Sequence, residues 1–318
     1  MIIAYKKSTD NKSPCLTLNQ GNCYTASVLP EIHEQALIKV TALQKIGILY
    51  HPLVTATQAK AQEIQDFLKA TGVGTWLCSA WEAETVREQL DKTDLILTIG
   101  GDGTILRAAQ AVFPMSIPIT GINMGRLGFL TELSADEALV KLPGLVSGKG
   151  WIDQRTMLDI TLVKEKGEPQ QFHALNDVVM ARGSIARVVN ITARIDDEHF
   201  TTYRADGVIM ATATGSTGYA LAAGGPILPP HSSDFILVPI APHLSSAYPL
   251  ILSAKTTVKL QVGTFHEATM SIDGHVNLPL NDGTGITVKQ SPHQTHFLRI
   301  SPKLQFYSSL EQKLRGKK

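Results

Sequence analysis

The sequence predicts an α/β domain built on a parallel sheet, followed by an all-β domain of β-sandwich-like character. Three observations in the 318 residues carry this expectation. From Gln44 onward short apolar runs alternate with helical patterns, the rhythm of βαβ units. Near residue 150 the apolar period changes to two, and turn signals then separate the runs.

The elements follow in order. Ile46–Tyr50 reads as a first strand, and Thr57–Ala70 as a helix whose Ala61, Ile64, Phe67 and Leu68 share one face. Thr75–Ser79 is a second strand and Ala83–Leu90 a second helix. Leu95–Ile99 is a third strand, running into Gly100-Gly101-Asp102-Gly103-Thr104, with Ile105–Val112 helical beyond it. A strand, glycine turn and helix in that order is where open α/β sheets hold phosphates. Ser134-Ala135-Asp136-Glu137 forms a capping box that opens a helix to about Leu145, and Ser147–Gly150 closes the domain.

Past that boundary Val189, Ile191, Ala193 and Ile195 alternate with polar residues, as do Val258, Leu260 and Val262. Turns are expected at Lys166–Pro169, Arg182–Ser184 and Asn281–Gly283. Leu304–Leu314 is weakly helical, and a lone helix that short needs packing to be stable, so it is expected to dock back on the first domain. The resulting division is an extension over 1–43, partly disordered, an α/β domain over 44–150, a β-rich domain over 151–297 and a closing segment over 298–318.

Composition narrows the function. With 43% hydrophobic and 18% charged residues the chain has material for cores, and 29 Lys+Arg against 28 Asp+Glu leave a charge of +1. That balance favours neither nucleic acid nor an anionic membrane, so any phosphate must be held by local geometry. Cys15, Cys23 and Cys78 make no CxxC pair and no even framework, as expected of a reducing compartment. No apolar stretch has the length of a signal peptide core or a membrane span, so a soluble cytoplasmic protein is expected. His266-Glu267 lacks the second histidine of HExxH, and Gly215-Ser216-Thr217-Gly218 lacks the GxSxG frame. No metal site of direct protein ligands is assigned.

Four motifs carry chemistry. The glycines of Gly100–Gly103 let backbone N–H groups approach one anionic oxygen, although such turns also serve only to reverse a chain. Asp102 beside a phosphate is repelled unless it binds a metal or takes a proton, against the alternative of a solvated turn residue. Gly121–Thr131 is a strand end entering a glycine-spaced loop, where Arg126 offers a phosphate contact or a structural one. Asn176-Asp177 interrupts an apolar strand and needs partners, either vicinal ribose hydroxyls or the backbone of a bulge. Tyr203–Gly207 and then Thr212–Pro226, rich in small hydroxyl residues and glycine, can wall a polar ring or a phosphate.

With these motifs in this order the chain resembles the NAD kinase family over residues 44 to 318. The resemblance rests on Gly100–Thr104, Gly121–Thr131, Asn176-Asp177 and Thr212–Pro226. It implies a Rossmann-like α/β domain, a second all-β domain, a cleft between them, and a homodimer or homotetramer whose sites include residues of a neighbouring subunit. It implies NAD and ATP as substrates, Mg²⁺ or another divalent cation with ATP, and neither nucleic acid nor membrane as partner. Asp102 matches the proton acceptor, and Gly100, Gly101, Gly103 and Thr104 the loop at the ATP phosphates, with Asp102 and Gly103 also near NAD. Asn176 and Asp177 match the ribose-holding pair, with Asp177 shorter than the Glu frequent in relatives. Arg187, Arg204 and Asp206 fall at dinucleotide-contacting positions, and Thr217, Gly218, Tyr219, Ala220, Leu221 and Ala222 cover the binding loop. Gly218 stands where Ala is commoner, and His275 where relatives carry Gln.

The implied reaction is transfer of the ATP γ-phosphoryl group to the 2′-hydroxyl of the adenosine ribose of NAD. A lipid kinase of the diacylglycerol or sphingosine type shares the glycine loop, but Gly121–Thr131 and Thr214–Ala222 match dinucleotide recognition. A silent dinucleotide sensor gains little from an acid at position 102.

Overall fold

Every residue of Leu95–Ile99 is buried, because this strand lies between two parallel neighbours and is covered by helices on both faces. The computed structural model describes residues 15–17, 23–25, 42–125, 128–164, 167–183, 187–243, 247–302 and 306–315. The chain divides into two units, Met1–Ile38 and Lys39–Lys318. In the first, Cys15–Thr17 pairs antiparallel with Cys23–Thr25. Apart from residues 42 and 43, the rest of the expected extension, with the partial disorder expected of it, lies outside the described residues, as do Lys166, Ser184 and Leu304 at the edges of expected turns and of the closing helix.

In the second unit β1 (Lys45–Tyr50), α1 (Thr55–Ala70), β2 (Gly74–Ser79), α2 (Ala83–Gln89), β3 (Leu95–Ile99), α3 (Asp102–Val112) and β4 (Ile119–Asn123) alternate as expected. The strands are parallel in the spatial order β4-β3-β1-β2. Ala61, Ile64 and Leu68 of α1 share one core with Ala138, Leu142 and Leu145 of α4 (Ala135–Val146), and together they cover one face of the sheet. Val86 of α2 and Ile105, Ala108, Ala109 and Val112 of α3 cover the other face. The capping box is present: Ser134 Oγ accepts from the Glu137 N–H, and Glu137 returns to the Ser134 N–H.

The helix after the glycine turn starts at Asp102 rather than Ile105. The turn's own residues become its first helical turn, where a carboxylate complements the partial positive charge of the unpaired N–H groups.

The antiparallel part is a sandwich. One sheet runs 250–252, 235–240, 207–211, 177–182, 268–272, 276–280 in space, and the other contains 198–205, 189–195, 258–263, 285–299 and 151–163. Their facing side chains, among them Met180, Met210, Phe235 and Met270 from the first and Ile160, Ile191, Leu260 and Val288 from the second, form one core.

The strand Gly285–Arg299 joins the two halves. It pairs antiparallel with Trp151–Val163, and at Phe297 it pairs in parallel with Ile119 of β4, so one sheet runs through both halves. Helix Phe306–Arg315 follows, and Lys313 Nζ lies 5.6 Å from the centroid of the Phe129 ring. No helix among the described residues is long and apolar enough to cross a membrane.

Candidate active site

A cleft of about 590 Å³ opens where β3 ends. Gly100, Gly101, Gly103 and Thr104 form one wall, Asn123, Met124 and Gly125 a second, and Asp273, Gly274 and His275 a third. His51, Trp81 and Arg107 close its far side. Parallel β-strands place ligands at this carboxyl end, where helix N–H groups are unpaired. The Thr104 hydroxyl is buried with no hydrogen-bond partner. Arg107, on the same helix, rests its guanidinium 4.0 Å over the Trp81 ring centroid, and Trp81 meets His51 edge-on at 4.5 Å. Arg107 has no carboxylate partner among the described residues, so a cation is left available to a polyanion.

Asp102 does not line that cleft. Its carboxylate lies under the loop that follows β4, accepting the N–H of Phe129 at 2.8 Å and of Leu130 at 3.1 Å. A methyl group on Gly128 would collide with this carboxylate, which is why the loop carries glycine there. An ionised carboxyl has about four acceptor positions, so the two N–H bonds fix its orientation and leave acceptor positions free for a further hydrogen bond.

The loop is itself held by buried charge. Arg299 donates to the Leu130 carbonyl at 2.6 Å, to Glu132 at 3.3 Å and to Asp153 at 3.2 Å, and Arg155 grips Asp153 at 2.9 and 2.7 Å. Burial raises the Asp153 carboxyl, but the Arg155 guanidinium and then Arg299 outweigh it, and the net direction is down. Arg155 also reaches the Thr214 hydroxyl at 3.4 Å, which links the loop to the Thr212–Pro226 segment.

That segment packs on Asn176-Asp177. The Asn176 carbonyl accepts the Thr212 N–H at 2.9 Å and fills the space where Gly215 would carry a methyl group. The Asn176 side-chain oxygen is buried without a partner. A Cβ placed on Gly218 would lie 3.8 Å from Asn176 Nδ2 and 4.0 Å from Asp177 Oδ2, so the bare Gly218 backbone leaves room beside the pair. Burial, and then the charge of Asp273, push the Asp177 carboxyl up to about 7.

Comparison with known proteins decides the family. Residues 40–149 match the ATP-NAD kinase N-terminal domain and residues 175–300 the ATP-NAD kinase C-terminal domain. This chain belongs to the ATP-NAD kinase family. It is 46% identical over 274 residues to the NAD kinase of Dehalococcoides mccartyi strain CBDB1, spanning 86% of this chain and 96% of the relative. It is 40% identical over 273 residues to that of Chloroflexus aggregans, spanning 86% and 99%. Among solved structures, a yeast NADH kinase complexed with NADH superposes with a TM-score of 0.77 at 26% identity, covering 86% of this chain and 88% of that one. An NAD kinase from Archaeoglobus fulgidus in complex with ATP gives 0.70 at 28%, covering 86% and 99%. Membership makes the chain a kinase, and the two-domain architecture expected of the family is present.

Not every position matched to the family's site converges in one chain. His275 lines the cleft and donates from Nδ1 to the Asp273 carbonyl at 3.0 Å. Arg204 instead lines a separate cavity of about 280 Å³ with Phe200, Tyr203 and Tyr248. Asp206 is paired with Arg182 at 3.0 Å, and Arg187 is exposed beside His266 at 2.8 Å. In the binding loop Thr217 bonds back to the Thr214 carbonyl, Tyr219 is 49% exposed, and Leu221 and Ala222 reach the surface at least in part. The Ala220 methyl is turned into the core with Val179 and Ile209, so only its backbone can meet a ligand. Arg126 lies outside the described residues.

Several residues of the site escape a reading of the sequence. Trp81 lies in the turn before α2 and Arg107 in the middle of α3, neither in a motif, and Asp153, Arg155 and Arg299 read as polar positions of strands. The charged residues inside otherwise buried strands are the available signal, because an ion so placed requires a partner.

Proposed function

We propose that the chain transfers the γ-phosphoryl group of ATP to the 2′-hydroxyl of the adenosine ribose of NAD. The observation that carries this is the shared position of Asp273: its turn lines the cleft with the glycine loop, and its carboxylate holds the backbone of Asn176-Asp177. Two buried polar atoms are without partners, Thr104 Oγ1 on the glycine-loop wall and Asn176 Oδ1 in the pair that Asp273 holds, although Asn176 and Asp177 do not themselves line the cleft.

In this reading the N–H groups of Gly101–Gly103 and the Arg107 guanidinium take the triphosphate, while the Gly100 and Thr104 N–H groups are held by the Ile122 and Gly101 carbonyls. Asn176 and Asp177 hold the ribose hydroxyls, and Asp102 accepts the proton of the attacking hydroxyl while the Phe129 and Leu130 N–H groups keep its carboxylate aimed. Catalysis is then alignment plus charge stabilisation. A divalent cation would be carried on the donor's phosphates. There it would neutralise charge on the phosphate oxygens.

Arg187, Arg204 and Asp206 do not line their own chain's cleft, and we read them as reaching the dinucleotide of a neighbouring subunit in a homodimer or homotetramer. Residues 44–150 serve the donor and 151–297 the dinucleotide, and 298–318 closes on the first domain. The reaction is assigned to the cytoplasm. The deciding assay supplies ATP and NAD and reads NADP with an NADP-specific dehydrogenase; no NADP from the folded protein would refute the proposal.

A further inference from the structure

Asp273 is a buried acid on the wall of the cleft, and phosphoryl transfer gives its carboxylate no direct task. The turn after strand Ala268–Ile272 takes a left-handed backbone at Asp273, with φ +47°, and at Gly274, with φ +70°. The Asp273 carboxylate then meets four donors. One oxygen accepts the N–H groups of Asn176 at 2.7 Å and Asp177 at 3.1 Å; the other accepts the N–H of Leu175 at 2.9 Å and Nε2 of Gln110 at 3.1 Å. The Asp273 N–H donates in return to the Asp177 carbonyl at 3.0 Å.

Three successive N–H groups directed at one anion form a backbone nest, and bonds to a charged acceptor are the stronger kind. Burial raises the Asp273 carboxyl while its hydrogen-bond donors act in the opposite direction. The residues so held are those that interrupt the strand at Asn176-Asp177. Gln110 supplies a second attachment. It lies on α3, eight residues beyond Asp102, roughly 12 Å along the axis at the usual rise. Its amide also donates to the His173 carbonyl, so α3 is bonded to the strand directly at His173 and, through Asp273, at Leu175–Asp177.

We propose that Gln110 and Asp273 are positioning residues that lock the Asn176-Asp177 pair against the helix carrying Asp102, so that acceptor pair and base keep one separation. This rests on the proposed roles of Asp102, Asn176 and Asp177 in the kinase reaction. It differs from a purely structural staple, which would stabilise the strand break without affecting the use of NAD.

The test compares the full-length parent with Gln110→Met, which keeps the volume and removes the donor, and with Asp273→Asn. Amide hydrogen exchange at residues 175–177, kcat and the KM values for NAD and ATP, and the pH profile of kcat/KM for NAD are measured on each. Gln110→Met is expected to speed exchange at 175–177 and to lower kcat/KM for NAD about tenfold, the equivalent of one lost hydrogen bond, with the KM for ATP unmoved. Asp273→Asn is expected to move the acid limb of the NAD profile to lower pH, since Asp177 loses a neighbouring negative charge.

Faster exchange with unchanged use of NAD would reduce the couple to a staple, and unchanged exchange in Gln110→Met would remove it altogether; either result overturns the proposal. If Asp273→Asn fails to fold, Gln110→Met decides alone. A folded parent that makes no NADP refutes the assigned reaction, and the affinities of the parent and of Gln110→Met for NAD, measured by calorimetry, then decide the clamp beside the exchange comparison.

Discussion

Arg299 donates to the carbonyl of Leu130 at 2.6 Å, and the N–H of that same Leu130 donates to Asp102 at 3.1 Å. One residue of the loop thus connects a buried cation near the chain's end to the candidate base at the start of α3.

Arg299→Met should therefore act on both stability and turnover. The variant leaves Asp153 and Glu132 without one of their cations in a buried setting, a loss worth about 3–5 kcal/mol when one partner of a buried pair is removed. Urea unfolding should show a clearly lower midpoint, and kcat should fall more than the KM for NAD rises, because the Asp102 carboxylate loses its fixed orientation. An unchanged midpoint would show that the network carries no net stability.

Asp102→Asn should reduce turnover by roughly 10²–10⁴, the range for removal of a positioned general base. It should also cost some stability. An asparagine presents one amide nitrogen where the carboxylate presents an oxygen, so the N–H of Phe129 or of Leu130 then faces a donor, a penalty of about 1–3 kcal/mol. Steady-state kinetics beside a melting curve separates the two effects, and NADP formation at the parent's rate would remove Asp102 from the mechanism.

Asp177 gives a pH signature. Its folded carboxyl, at about 7 against an ordinary 3.8, keeps a proton that the unfolded chain releases between about pH 4 and 7. Stability contributed by this group accordingly falls as pH rises through that window and is level above it. Asp177→Asn removes the charged form, so it should melt higher than the parent at pH 8, by a few kcal/mol at most and several degrees as an order of magnitude. The difference should shrink as pH is lowered toward 4. Activity should move the other way, with kcat/KM for NAD weakened at all pH values and its acid limb near 7 lost. A stability gap that does not grow with pH would contradict the assignment.

Arg107→Gln should raise the KM for ATP about tenfold, in line with the loss of one charge-assisted contact, and leave the KM for NAD unchanged. Initial rates at varied ATP and fixed NAD test this. A change confined to the KM for NAD would place Arg107 on the other substrate.

Much of the fold is legible because it is written in local patterns. The all-buried run Leu95–Ile99, the spacing of Ala61, Ile64 and Leu68, and the capping box at Ser134 each follow from neighbours a few residues away. The expected start of α3 falls three residues late because glycines mark a turn in a sequence, whereas here Gly103 belongs to the first helical turn. The glycine loop and the Asn176-Asp177 pair are recognisable as motifs. Their mutual attachment is not, since Gln110 lies 163 residues from Asp273 and neither stands in a periodic pattern.

The residues taken in order suffice for the alternation of strands and helices, the change of period near residue 150 and the family to which the glycine loop belongs. Folding in three dimensions adds that Asp102 is oriented by Phe129 and Leu130, that one sheet runs from Ile119 into Phe297, and that Arg187, Arg204 and Asp206 lie outside their own chain's cleft. Periodicity reports which face of an element is buried, whereas the partner of a buried charge is fixed by how distant segments pack, and that information resides in no local window of residues.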